Sequence, residues 1–281
     1  MSELARAEPP AGFTLGQYLI CLRGIMWREA LRFVHQRERF VSALVRPLVW
    51  LFIFAAGFRQ ILGVSIIPPY ETYVLYEVYV TPGLIAMIQL FNGMQSSLSM
   101  VYDREMGNMR MLLVSPFPRW FLLVAKLLAS TAVSILQVAA FLAVAVLWGV
   151  ELPPWACVTV LPALILCGLM LGSLGMLLSS MIKQLENFAG VMNFVIFPMF
   201  FASSALYPLW LVQQSSPVVY FICRLNPFTY GIELIRFSLY GKFDPVAVAV
   251  VVGATAVFMT SAIVAYDPAR GLLVRRGGGP G

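Results

Sequence analysis

Charge is what this chain has least of. Only 11% of its 281 residues are Asp, Glu, Lys or Arg and 60% are hydrophobic, whereas a soluble domain carries roughly 25% charged residues. So few charges cannot cover a water-facing surface, which excludes a large soluble helical domain. There is one histidine, His35, and the four cysteines (Cys21, Cys157, Cys167, Cys223) are scattered, with no C-x-x-C pair. No pattern of metal ligands emerges, so no metal site is expected. Cys157 and Cys167 share one apolar run, where small buried hydrophobes are expected. A G-x-x-x-x-G-K-S/T motif is missing too: Gly241-Lys242-Phe243 lacks the preceding glycine and the hydroxyl residue. The chain therefore does not cradle ATP by that device. The first forty residues hold six arginines and no uninterrupted apolar stretch, unlike a cleavable signal peptide.

What is present are runs that reach the ~20 apolar residues needed to cross a bilayer. Six spans are expected: Ala43–Leu62, Val78–Val101, Phe121–Trp148, Cys157–Ser180, Phe188–Leu206 and Val246–Tyr266. The third would be on the order of 40 Å long as a helix, so it should begin in the interface, where Lys126 can snorkel. Between spans five and six, Tyr207–Asp244 is interrupted by Pro208, Pro217 and Pro227. Short re-entrant helices dipping into the outer leaflet suit it, provided protein covers their backbone. Of the 19 basic residues, seven lie before or at the start of span one, four lie at 102–126, one follows span four and three are in the tail. Only Arg59, Arg224, Arg236 and Lys242 fall on the other side. That asymmetry puts both termini in the cytoplasm. It also accounts for the net charge of +6 without a nucleic-acid partner. The expected divisions are a cytoplasmic segment 1–42, a six-span domain 43–266 and a cytoplasmic tail 267–281. The excess of Arg over Lys fits a GC-rich bacterial genome and hence an inner (plasma) membrane.

Residues Thr14–Phe40 repeat apolar side chains at three- and four-residue steps, with Arg23, Arg28, Arg32 and Arg39 at other positions. An amphipathic helix along the membrane surface is expected, serving either as a lipid anchor or as a docking element. Span two carries Gln89, Asn92, Ser96 and Ser99 on one face, with Gln95 beside it. Such a stripe either bonds to neighbouring helices or lines a substrate route. Gly168, Gly172 and Gly175 in span four are spaced for close helix packing, and Pro198 should kink span five. No span has an Asp or Glu in its interior, which weighs against ion-coupled transport. Any driving energy must then come from another polypeptide.

Several stretches resemble the type 2 ATP-binding-cassette exporter permeases. Arg104-Glu105-x-Gly107, then Leu112-Leu113-Val114-Ser115-Pro116 and Lys126, is similar to that family's first cytoplasmic loop. Asn226-Pro227-Phe228-Thr229-Tyr230, followed by Glu233-x-x-Arg236, resembles the family's N-P-L/F-T-Y and E-x-x-R. Phe197–Trp210 and Arg46-Pro47 fit as well. Asn108 stands where the family often has Thr, and the outer loops are short.

The resemblance implies an all-α membrane protein. Its six transmembrane helices would be joined by an interfacial helix (Arg28, Arg32, Arg39), a coupling helix and an outer re-entrant region (Asn226, Pro227, Tyr230, Glu233, Arg236). It implies a homodimer that docks a separate ATPase subunit, with ATP and Mg bound there and no cofactor on this chain. Arg104, Glu105, Gly107, Met109, Leu112 and Leu113 would form the coupling surface. Gln89, Asn92, Ser96 and Ser99 would face the translocation path or dimer interface. Export rather than import is implied by the resemblance alone. The rivals are a secondary transporter or channel, and a membrane scaffold that transports nothing.

Overall fold

The computed structural model describes residues 14–35, 37–58, 68–70, 74–105, 117–182 and 185–265. Among these, all regular secondary structure is helical. The helices are α1 (Leu15–His35), α2 (Arg37–Phe58), α3 (Tyr76–Glu105), α4 (Arg119–Leu147), α5 (Ala156–Thr159) and α6 (Leu161–Met181), followed by α7 (Leu185–Phe201), α8 (Leu209–Ser215), α9 (Pro217–Leu225), α10 (Pro227–Leu239) and α11 (Pro245–Ala265).

The ends of these helices follow from local chemistry. Proline opens α9, α10 and α11, where its missing N–H would have had no helical partner anyway. Asn226 Oδ1 accepts from Phe228 N at 3.0 Å, and Asp244 Oδ1 accepts from Val246 N at 2.9 Å, capping α10 and α11. Gly149 (φ 103°) and Gly241 (φ 65°) end α4 and α10 in the left-handed region. Beyond each glycine, Val150 N donates to Ala145 O and Lys242 N to Phe237 O, both at 3.0 Å. This closing bond satisfies carbonyls that the helix leaves open.

Among the described residues, four helical stretches are long and apolar enough to cross a membrane: Tyr76–Tyr102, Trp120–Leu147, Ala156–Met181 and Pro245–Ala265. α3 is the axis of the bundle and packs against α2, α4, α6, α7 and α10. Its most apolar window is 76% buried, against 17% for α11. The order follows polarity. α3 has the lowest mean hydropathy of the four (1.2) and carries amide and hydroxyl side chains, whereas α11 has the highest (2.3). Polar groups must find protein partners in lipid, while an apolar helix can face acyl chains.

The Thr14–Phe40 pattern falls on α1, described as far as His35, and on the start of α2, described from Arg37; residue 36 lies outside the described residues. Arg39 lies on α2. Span five differs from the expectation: it is shorter, because α7 stops at Phe201. Seventeen residues give roughly 25 Å, and residues 203–206 beyond it are buried without being helical. The apolar parts of α2 and α7 are Ala43–Ile53 and Gly190–Phe201.

Cys167 is buried as expected, but Cys157 is exposed. It lies on the single turn of α5, which leaves it on the rim rather than inside the bundle.

Candidate functional site

Two members of the polar stripe on α3 tie helices together. Gln89 Nε2 donates to the Leu164 carbonyl at 2.7 Å, and Asn92 Nδ2 donates to the Ser130 carbonyl at 3.0 Å. α3 is thereby fastened to α6 on one side and to α4 on another. Ser96 is half-buried; the Ser99 side chain lies outside the described residues. Gln95 joins Asn92 in a cavity of about 30 Å³ between α2 and α3, alongside Arg46 and Phe91. There the Arg46 guanidinium sits 3.8 Å over the Phe91 ring, a cation–π contact.

The glycines of α6 divide between two neighbours. A Cβ on Gly168 would meet Thr131 Cγ2 at 2.7 Å, and one on Gly172 would meet Leu127 Cδ2 at 2.8 Å, both on α4. A Cβ on Gly175 would meet Ser97 Oγ at 2.6 Å and the Gly93 carbonyl at 2.8 Å, on α3. These small residues allow the close backbone approach typical of helices packed in lipid. Gly93 completes the contact from α3, and Gly83 approaches the Ala205 backbone in the same way.

The outer region is built around Arg236, only 3% exposed. Its Nη1 donates to Glu233 Oε1 at 2.5 Å, and its Nη2 donates to the Ser204 carbonyl at 2.8 Å. The two side chains, one helical turn apart, thus pair. The guanidinium also lies 4.3 Å over the Tyr79 ring, and the Tyr79 hydroxyl donates to the same Ser204 carbonyl at 3.2 Å. Burial lowers the pKa of Arg236, but the Glu233 carboxylate and the nearby phenols outweigh it and leave the pKa raised. Arg236 therefore stays charged. Asn226 has a second role besides capping: its Nδ2 donates to the Met199 and Ala202 carbonyls at 2.8 and 2.7 Å. Carbonyls freed where α7 breaks off are thus satisfied, as non-helical backbone in a membrane bundle requires. Pro227 opens α10, and Tyr230 packs against the main core.

Tyr76, Tyr79 and Ser204 were not singled out by sequence reasoning. The three-residue spacing of the two tyrosines marked a shared face, but nothing local linked them to residues 204–206. Tyr76 hydroxyl donates to the Leu206 carbonyl at 2.7 Å.

Arg104 and Glu105 form the end of α3, with their side chains outside the described residues. Gly107, Met109, Leu112 and Leu113 lie wholly outside them. On α1, Arg28 is exposed and pairs with Glu29 at 3.3 Å; the side chains of Arg32 on α1 and Arg39 on α2 lie outside the described residues.

A helical bundle with several apolar spans, cross-linked internally by amides and glycines, is a multi-pass membrane protein. Residues 21–240 match the ABC-2 type transporter family, so the chain belongs to that family. It is 29% identical over 203 residues to a Cyanophora paradoxa protein provisionally named transport permease ycf38, covering 70% of this chain and 66% of that one. A Porphyra purpurea protein with the same name is 27% identical over 210 residues, covering 73% and 68%. An Escherichia coli K12 protein provisionally named multidrug ABC transporter permease YbhR is 32% identical over 124 residues, covering 43% and 33%. The chain thus spans just under two thirds of the first of these relatives.

Proposed function

We propose that this chain is the membrane half of an ATP-driven exporter in a bacterial inner membrane. It works as a homodimer, with a separate ATP-binding subunit docked on each copy. Both termini are cytoplasmic and the span count is six, with α2 and α7 supplying the two shorter crossings. ATP and Mg belong to the partner. α8, α9 and α10 dip into the outer leaflet and close its side of the path.

The observation that supports this reading most strongly is the family membership, taken together with the missing ATP motif and the missing acidic residues inside the spans. A chain with neither energy source must receive its force at a surface. Residues Arg104–Leu113, at and beyond the cytoplasmic end of the central helix α3, form that surface. Force applied there reaches α2, α4, α6, α7 and α10, because all of them pack on α3. Mixed charge makes docking specific and salt-sensitive, and Met106, Met109 and Met111 supply adaptable apolar contact.

The experiment is reconstitution of the purified chain with its ATPase in vesicles. ATP-dependent movement of an amphipathic probe, abolished by Glu105→Arg with the complex still assembled, is expected. Transport that persists with the ATPase absent and an ion gradient present would sink the proposal.

A further inference from the structure

A groove of about 540 Å³ lies between α1 and α4, away from the polar stripe, lined mainly by apolar side chains that include Leu22, Met26 and Trp27 of α1 and Ala132 and Leu136 of α4. A volume in the range of roughly 300–1,000 Å³ suits a drug-sized molecule. Arg23 is the one charged residue in the lining, and it has no ion-pair or hydrogen-bond partner among the described residues.

The position of the groove identifies its occupant. The Tyr18 ring packs on Phe117 and Phe121 at 5.5 and 4.7 Å between centroids, fixing the start of α1 to the foot of α4. Leu136 stands seventeen residues beyond Arg119, where α4 begins, which places it roughly 25 Å along the helix. The α4 side of the groove runs from Ala129 to Leu136, in the apolar stretch beyond the foot of that helix. Ala132 and Leu136 lie one turn apart on a single exposed face. Trp27, 66% exposed, suits the membrane–water boundary.

We infer that this groove is a binding site for an anionic phospholipid of the cytoplasmic leaflet. One acyl chain lies between α1 and α4, and the phosphate diester is held by Arg23. An arginine at the edge of an apolar groove attracts an anion, and its guanidinium matches phosphate with paired hydrogen bonds. A second copy suits the groove less well, since a two-fold contact would present the same basic helix. The inference is independent of the exporter reading, because lipid retention needs neither ATP nor a partner.

The test is native mass spectrometry of the purified full chain, titrated in detergent with dioleoylphosphatidylglycerol, dioleoylphosphatidylcholine or inorganic phosphate. One phosphatidylglycerol should be retained per chain in preference to phosphatidylcholine, and inorganic phosphate should not displace it. Arg23→Gln, and separately Ala132→Phe, which fills the groove, should each weaken retention about ten-fold. Arg28→Gln removes the same charge from the same helix outside the groove and should leave retention within about two-fold of the original. Arg23 is exposed, so its substitution keeps the test valid even if Ala132→Phe fails to fold. The inference is overturned by equal retention of the two lipids, by displacement with inorganic phosphate, by unaltered retention in Arg23→Gln, or by equal losses in Arg23→Gln and Arg28→Gln.

Discussion

The backbones of Gly175 and Gly93 meet where α6 crosses α3: a methyl group on Gly175 would stand 2.8 Å from the Gly93 carbonyl oxygen. Two helices in lipid gain little from burying apolar surface against each other, so they depend on contacts of this kind. Gly175→Ala must push the helices apart, because the obstacle is backbone, and overpacking of this sort costs about 1–3 kcal/mol. Gly172→Ala meets only the end of the Leu127 side chain, which can rotate, and should cost less than about 1 kcal/mol. Thermal unfolding of the two purified variants in detergent checks the contrast. Equal midpoints would show that the α3–α6 crossing is looser than described.

The Glu233–Arg236 pair makes a second contrast. Glu233→Gln leaves the buried Arg236 charge without its carboxylate, and loss of one partner of a buried pair costs roughly 3–5 kcal/mol. Because Glu233 is partly exposed, the lower end of that range or less is expected. The double variant Glu233→Gln, Arg236→Met removes the orphaned charge and should recover part of the loss. Unfolding midpoints of the singles and the double, combined as a mutant cycle, measure the coupling. Strict additivity would show that the pair contributes nothing.

Gln89 separates the two roles of the polar stripe. Its bond to the Leu164 carbonyl ties α3 to α6, and such bonds contribute about 0.6 kcal/mol on average in membrane bundles. Gln89→Leu should lower stability by about that amount and leave most of the transport in place. Full stability with lost transport would instead put Gln89 on the substrate route.

Legibility in the sequence depended on range. Continuous apolar runs revealed the helices that become α3, α4, α6 and α11. The i, i+3 spacing of Glu233 and Arg236 puts them on one helix face, and the glycine spacing of α6 was enough to suggest close packing. The cluster of Tyr79, Ser204 and Arg236 was hidden, because its members come from three distant parts of the chain and meet only when α10 folds onto α3. Cys157 was misjudged because an apolar run does not say which of its residues form the rim. Of the proposed coupling residues, Arg104 and Glu105 fall at the end of α3, and the others lie outside the described residues.

Glu105 carries the central claim. If force enters at the end of α3, Glu105→Arg should break the link between ATP hydrolysis and movement while sparing membrane insertion. The most direct measurement is to purify the tagged chain with its ATPase, identified by its own ATP-binding motif, and to record ATP hydrolysis and transport of one amphipathic probe in the same vesicles. The account predicts that the original complex does both, and that Glu105→Arg lowers transport about ten-fold or more while hydrolysis continues. No co-purifying ATPase, together with unaltered transport in Glu105→Arg, would contradict it.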